Sequence, residues 1–238
     1  MIEAGIVVFY LFRVQKVLPL RAGDLMIHRV WAWKDYTRYG LPVGLTDAQW
    51  ALIGMIKMMI IGRMGQIMMN AAAVTDMLFN LGTLFTFSLA GGAAVLVGKA
   101  AGSGNVQLVR QYSKRIQIMF LFVGIVMAAL VFFLRAPFFR LYDLDAQTLS
   151  LALTMAGICA PTLIGTSYHA SCFVGINRGA GDSRFVMLVD MICGWLIVLP
   201  SAFLAAFVLK LPLHWVYFST RIDQSFKWII AFLRLRGN

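Results

Sequence analysis

The chain has 238 residues, of which 61% are hydrophobic and only 13% charged, and its formal net charge is +11. A soluble domain usually carries about 25% charged residues, so this chain has too little polar surface to fold in water. The composition excludes a soluble globular domain and indicates an all-α integral membrane protein.

The N-terminal region is predicted to contain no complete transmembrane helix. Ala4–Phe12 is apolar but too short to span a bilayer, and the charges that follow it are on the wrong side for a signal peptide. We interpret residues 1–19 as the end of a transmembrane helix whose beginning is absent. Residues 20–39 are basic and aromatic, which predicts a cytoplasmic connector lying along the lipid headgroups.

Six apolar segments follow, and each is long enough to cross about 30 Å of hydrocarbon as a helix. The sixth contains Arg221, Asp223, Gln224 and Lys227, and is a poor span by composition. It is counted because the C-terminal arginines would otherwise lie outside the cell. The predicted spans are Leu41–Ile61, Ile67–Gly98, Ile116–Leu134, Leu149–Val174, Phe185–Val208 and Leu211–Leu233.

The basic residues lie mainly in alternate connections between these spans. Assigning alternate connections to alternate sides places 14 Lys and Arg on one side and 4 on the other. Because positive charge favours the cytoplasmic side, both chain ends are predicted to be cytoplasmic, in a cell membrane that we expect to be a bacterial inner membrane. This topology accounts for the net charge without a nucleic-acid partner.

Several short motifs occur in a recognisable order along residues 40–236. They are Gly40-Leu41-Pro42, Gly62-Arg63-Met64-Gly65, Gly91-Gly92-Ala93-Ala94, Val97-Gly98-Lys99-Ala100-Ala101-Gly102-Ser103-Gly104-Asn105, Asn177-Arg178-Gly179-Ala180-Gly181-Asp182-Ser183-Arg184-Phe185, and Trp195 with Leu199-Pro200. In this order they resemble the multidrug and toxic compound extrusion (MATE) family. The resemblance implies a fold of two six-helix lobes, of which this chain matches the second and lacks the first.

The glycine-rich motifs are predicted to be turns between helices rather than ligand loops. No strand precedes Gly98…Gly104, and no Lys-Ser/Thr pair closes it, as a phosphate-binding loop would require. The three cysteines, Cys159, Cys172 and Cys193, have no metal or redox spacing and are expected to pack between helices.

Ionisable residues inside spans are the candidates for function, because they are costly in a bilayer. Asp76 is the most deeply placed acid in a well-defined span, and Asn80 shares its helical face. Lys57 is its predicted counter-charge. Further candidates for binding a cation or substrate are Asp47, Asp190 and His169; His169 is placed to relay protons. The alternative is that these residues only form ion pairs and packing contacts between helices.

The resemblance implies coupling of drug export to entry of H⁺ or Na⁺ through carboxylates inside each lobe. Two positions depart from the family pattern: Trp50 stands where one branch has Glu, and Ser167 where it has Asp. Any coupling in this lobe is therefore expected at Asp47, Asp76 or Asp190. No cofactor is expected besides the transported ion.

The leading hypothesis is the C-terminal lobe of a cation-coupled antiporter that exports drugs or other organic cations. Its expected partners are the bilayer, a small organic cation, and the missing N-terminal lobe or a second half-transporter chain. The alternatives are a lipid-linked saccharide flippase and a truncated, non-transporting interaction subunit. An enzyme is not expected, because no span holds a catalytic or metal-binding set at helical spacing.

Overall fold

The computed structural model describes residues 5, 9, 33–34 and 36–236, and every regular element among them is helical. The predicted helix remnant at 1–19 and most of the predicted connector at 20–39 lie outside these residues. The chain divides into a first unit, Met1–Leu41, which holds a π-helical turn at Tyr36–Gly40, and a second unit, Pro42–Asn238. The predicted all-α class is confirmed.

Four helices are individually long and apolar enough to cross a membrane: α1, Leu41–Gly62; α2, Gln66–Gly102; α3, Val106–Phe139; and α5, Ser183–Val208. Their positions agree with four of the predicted spans. α2 has 37 residues and is roughly 55 Å long, so it extends beyond a hydrocarbon layer of about 30 Å. α3 begins ten residues earlier than its predicted span because its polar first turns continue the same helix.

The fourth span, α4, consists of two helices bent by 51°, Ala146–Cys159 and Thr162–Arg178. The bend lies at Pro161, which has no backbone N–H to continue the helical hydrogen bonding. At its other end α4 has π-helical hydrogen bonding over Ser171–Arg178. The two halves together correspond to one predicted span.

The sixth span, α6, consists of three short helices: Leu213–Ser219, a 3₁₀ helix at Ile222–Ser225, and Lys227–Arg236. None is long enough to cross a bilayer alone. α6 starts next to the end of α5. Near the C-terminus of α6, Arg234 forms a salt bridge of 2.9 Å with Asp182, which precedes the start of α5. α6 therefore runs the length of the bundle, and the six-helix lobe is confirmed with a broken last helix.

The bundle has two ends, which differ in their connections. The Gly65 end holds the connections 63–65, 140–145 and 209–212, and the Gly104 end holds 103–105 and 179–182. Gly104 and Gly181 have φ of +70° and +92°, which favours glycine, so the predicted turns are confirmed at these motifs. The Asn105 side chain accepts a hydrogen bond from the Leu108 N–H and so caps α3.

The main hydrophobic core lies toward the Gly65 end. There the small residues of α2, α4 and α5 pack around large side chains such as Phe79, Met155 and Tyr217. The three cysteines are buried, unpaired packing residues. Toward the Gly104 end the apolar clusters are smaller, and the helices enclose polar side chains. The charged side chains thus lie beside the hydrophobic core of the Gly65 half of the bundle.

Candidate functional site

A buried ion-pair cluster joins α5 to α6. The ammonium of Lys227 lies 2.8 Å from an oxygen of Asp190 and 3.0 Å from an oxygen of Asp223. The side chains of Lys227 and Asp223 are each 2% exposed, and that of Asp190 is 10% exposed. We call these three residues the Lys227 cluster. Because one ammonium faces two carboxylates, the ionised cluster has one more negative than positive charge.

Two other helices support the Lys227 cluster, α1 by direct contact and α4 through Gln224. The ring of Trp50, on α1, lies 4.2 Å from the Lys227 ammonium, a cation–π distance. Gln224 donates a hydrogen bond to Asp223 at 2.9 Å, and its amide oxygen accepts one from Thr166, on α4, at 3.0 Å. The cluster is therefore held by side chains from α1, α4, α5 and α6.

A second charged group joins α2 to α6. Arg221 donates a hydrogen bond to Asp76 at 2.6 Å, and the Tyr217 hydroxyl donates to the same carboxylate oxygen at 2.7 Å. The Arg221 guanidinium also lies over the Phe79 ring at 4.3 Å. The counter-charge of Asp76 is therefore Arg221, and the prediction that Lys57 fills this role is wrong. The sequence pattern missed it because Arg221 comes from the doubtful sixth span.

Lys57, on α1, interacts with both charged groups. It is partly buried and interacts electrostatically with both Arg221 and Asp76, and with Asp223 and Lys227. Within the described part of the chain it has no ion pair within 4.0 Å. The two charged groups and Lys57 together contain three carboxylates and three cations: Asp76, Asp190 and Asp223 with Lys57, Arg221 and Lys227.

A cavity of about 450 Å³ borders these charges. Its lining comes from α1, α2, the second half of α4, α5 and α6, mostly in the half of the bundle toward the Gly104 end. Most of the lining consists of aromatic, ionisable and hydroxyl side chains, and the full set is Thr46, Asp47, Trp50, Thr83, Phe87, Thr166, His169, Phe173, Val174, Arg178, Val186, Asp190, Arg221, Gln224 and Lys227.

Asp47 is the carboxylate in this lining that has no ion pair or hydrogen bond with any described residue. Its side chain is exposed, whereas Asp190 in the same cavity is held by Lys227. Arg178, also in the lining, has a buried Nε atom without a hydrogen-bond partner among the described residues. The cavity can thus offer one free carboxylate to an incoming cation.

His169 is buried in the cavity wall. Its Nδ1 lies 3.1 Å from the carbonyl oxygen of Gly165, one turn earlier in α4, and its ring packs edge-on against Phe173. This geometry agrees with the packing alternative, and the proton relay stays a prediction.

The cavity gathers Asp47, His169 and Asp190 from the predicted site. Asp76 is paired with Arg221, which lines the cavity, and Lys57 interacts electrostatically with both of these residues. Asn80 is exposed and outside the cavity lining. The sequence analysis did not identify the partners of Arg221, Asp223 and Lys227, although three charges in one span signal that each needs a partner.

The two positions that depart from the family pattern have local partners. Trp50 covers the Lys227 ammonium, and the Ser167 hydroxyl lies 3.1 Å from that of Thr86, on α2. In the described ranges no group of three or more His, Cys, Asp or Glu side chains is arranged to hold a metal ion.

A larger cavity of about 620 Å³ lies between α3, α4 and α6. Its lining includes Leu121, Ile158, Trp228 and Phe232 and has no charged side chain. It has no carboxylate to attract a cation, so the smaller, charged cavity is the candidate site.

A six-helix bundle with an apolar surface and paired charges inside defines a multi-pass integral membrane protein. The MatE family model matches residues 42–204, and the chain belongs to this family. Members of the family are multi-pass cell-membrane transporters and not enzymes, as the sequence motifs predicted.

Curated relatives agree with this assignment. Proteins named "Probable multidrug resistance protein NorM" are 28% identical over 73% of this chain in Halalkalibacterium halodurans, and 29% identical over 73% in Pseudomonas syringae pv. tomato. "Uncharacterized transporter YisQ" of Bacillus subtilis is 26% identical over 86% of the chain. The aligned regions span 38%, 39% and 46% of the lengths of these relatives.

Solved structures share the fold. A MATE transporter in complex with MaL6 matches 99% of this chain and 53% of its own with a TM-score of 0.85 at 14% identity. An outward-facing multidrug resistance MATE family transporter matches 82% of this chain and 43% of its own with a TM-score of 0.72. At this identity the likeness establishes the fold alone.

Proposed function

We propose that this chain forms one lobe of an efflux transporter that exports drugs or other small organic cations in exchange for H⁺ or Na⁺. The observation that carries the proposal is the charged cavity. In its lining Asp190 is paired with Lys227, whereas Asp47 has no ion pair within the described ranges and lies among aromatic side chains. Its volume of about 450 Å³ lies within the range of about 300–1,000 Å³ that is usual for small-molecule sites.

The chemistry of the cavity suits an organic cation. Trp50, Phe87 and Phe173 offer aromatic rings, which attract cations and apolar groups, and Asp47 offers the opposite charge. A phosphate-bearing flippase substrate would need several free cations, but of the three Arg and Lys side chains in the lining Arg221 and Lys227 are held by carboxylates, and Arg178 alone has no ion pair among the described residues. The multidrug names of the relatives further support export of organic cations.

The proposal includes a partner and an orientation. A second lobe, on another polypeptide segment or a second copy of this chain, would complete the transport pathway, since the chain spans less than half of its curated relatives. The Gly104 end, with its basic connections, would face the cytoplasm of a bacterial cell, because positive charge favours that side.

Binding of tetraphenylphosphonium to the purified 238-residue chain in lipid nanodiscs tests the role of Asp47. We expect Asp47→Asn to weaken binding about tenfold, which is about 1.4 kcal/mol. Asp143→Asn is the matched control, because Asp143 is an exposed acid outside the cavity. Equal affinities of the wild type and the Asp47→Asn variant would refute the assignment of Asp47.

A further inference from the structure

Lys227 resembles a cation bound at a two-carboxylate site, except that it is tethered to the chain. We propose that Asp190 and Asp223 form a binding site for a monovalent cation, H⁺ or Na⁺, and that Lys227 is its internal competitor. This inference rests on the proposed function, because it assigns the coupling cation to a site.

The charge and burial of the cluster require a cation at this place. Asp223 is 2% exposed and Asp190 is 10% exposed, so neither carboxylate is well hydrated. Two buried carboxylates repel each other unless a cation lies between them. When Lys227 leaves, H⁺ can bind one carboxylate, or Na⁺ can take oxygens from both.

The other charged or titratable groups near the cluster come from four helices, and Cys193, on α5, interacts electrostatically with all three cluster residues. Lys57, on α1, interacts with Asp223, and His169, on α4, interacts with both carboxylates. Arg221, on α6, is already held by Asp76. None of these side chains pairs with Asp190 or Asp223, so Lys227 is the occupant of this site within the described part of the chain.

The position of Lys227 allows its ammonium to leave. It is the first residue of the helix Lys227–Arg236 and directly follows the break in α6. Lys227 is one of the residues that line the charged cavity, so its ammonium has a polar space to enter.

Exchange at this site links the coupling cation to the organic cation. When H⁺ or Na⁺ neutralises part of the dicarboxylate, the released ammonium remains in the cavity that Asp47 lines. Its positive charge then repels or displaces an organic cation held by Asp47. Because such linkage is reciprocal, organic-cation binding favours the return of Lys227 and release of the coupling cation.

Trp50 provides a reporter for the position of Lys227, because its ring contacts the ammonium. In a variant whose five other tryptophans are Phe, in nanodiscs, Na⁺ is titrated against choline at alkaline pH, and acidification is tested without Na⁺. We expect a saturable change in Trp50 emission in one or both titrations. A response to Na⁺ identifies the metal ion as the ligand, and a response to acid alone identifies the proton.

The same titrations on variants separate this site from other titrating groups. Asp190→Asn should abolish the emission change, and Lys99→Gln, which alters an exposed lysine at the end of α2, should retain it. Lys227→Gln should lose the emission change, but Na⁺ or acid should now raise its melting temperature. The proposal would be overturned if neither Na⁺ nor acid changed the Trp50 emission or the melting temperature, in the wild type and in Lys227→Gln alike.

Saturating coupling cation should also weaken tetraphenylphosphonium binding to the wild type about tenfold. An unchanged affinity would refute the link between the two sites. Failure of the Asp47 test would refute the proposed substrate site while leaving the emission and melting results, obtained without organic cation, to decide the dicarboxylate site.

Discussion

Lys227 neutralises two carboxylates that the fold has removed from water. In Lys227→Met, Asp190 and Asp223 stay buried without their cation, and breaking such a buried pair costs about 3–5 kcal/mol. We expect the free energy of unfolding in mixed detergent micelles, in the absence of Na⁺ and at alkaline pH, to fall by about this amount.

A more exposed pair provides the control. Arg234 and Asp182 are 40% and 39% exposed, and such pairs contribute about 0–1 kcal/mol. Arg234→Met should therefore be nearly neutral in the same assay. Equal losses in both variants would contradict the role of burial.

The partner of Asp76 can be tested by rescue. Asp76→Asn leaves Arg221 without its carboxylate, and since both side chains are partly exposed, we expect a loss of about 1–2 kcal/mol. Adding Arg221→Met should recover part of this loss in unfolding experiments, whereas adding Lys57→Met should not. Rescue by Lys57→Met instead would restore Lys57 as the main counter-charge.

Single residues could be predicted as candidates but not as pairs. The cost of charge in a bilayer marked Asp47, Asp76 and Asp190 from the sequence alone. The partners of Asp76 and Asp190 could not be found, because they are distant in sequence. Arg221 is more than a hundred residues from Asp76, and Lys227 is more than thirty residues from Asp190. Which residues meet depends on how helices pack, and no local pattern records it.

The break in α6 packs against a glycine of α4. A Cβ at Gly165 would collide with the carbonyl oxygen of Gln224, which is backbone and cannot move aside easily. Gly165→Leu should therefore separate α4 from α6 and destabilise the fold by about 1–3 kcal/mol, measured by thermal unfolding.

Gly91→Ala is the matched control on an exposed helical face, because nothing lies within 4 Å of the added Cβ. Alanine has the higher helix propensity, so this variant should be neutral or more stable by up to about 1 kcal/mol. A Gly165→Leu variant as stable as Gly91→Ala would contradict the close approach of α4 and α6.

Helices were predictable where their cause is local. Long apolar runs gave α1, α2, α3 and α5, and Pro161 accounts for the bend in α4. The break in α6 has no proline within it, and it lies where Arg221 contacts α2 and Gln224 contacts α4. Its position could therefore be obtained only from the packed structure.

The arrangement of the six helices predicts which connections lie on the same side of the membrane. With the three native cysteines replaced, a cysteine at Ser103 and one at Arg234 should resist an impermeant thiol reagent in intact cells, while one at Gln147 should react. The two ends of the bundle and the distribution of basic residues give this expectation. Labelling of Arg234→Cys and Gln147→Cys from the same side would rule out six crossings.

Transport should require more than the lobe described. The 238-residue chain should bind tetraphenylphosphonium but not export it from proteoliposomes under an ion gradient, because a rocking mechanism needs two lobes. Flux is measured with a tetraphenylphosphonium electrode, and nanodisc binding is the control for folded protein. Export by a preparation shown to be monomeric would contradict the need for a second lobe.

The broken last helix has a consequence for biogenesis. Arg221, Asp223 and Lys227 together cost roughly 9 kcal/mol for insertion as an isolated helix, far more than a few apolar side chains return. The translocon would therefore reject this segment if it arrived alone. It can enter the bilayer only next to helices that already present Asp76 and Asp190. The earlier helices must therefore insert first, and the least hydrophobic helix of the lobe inserts last.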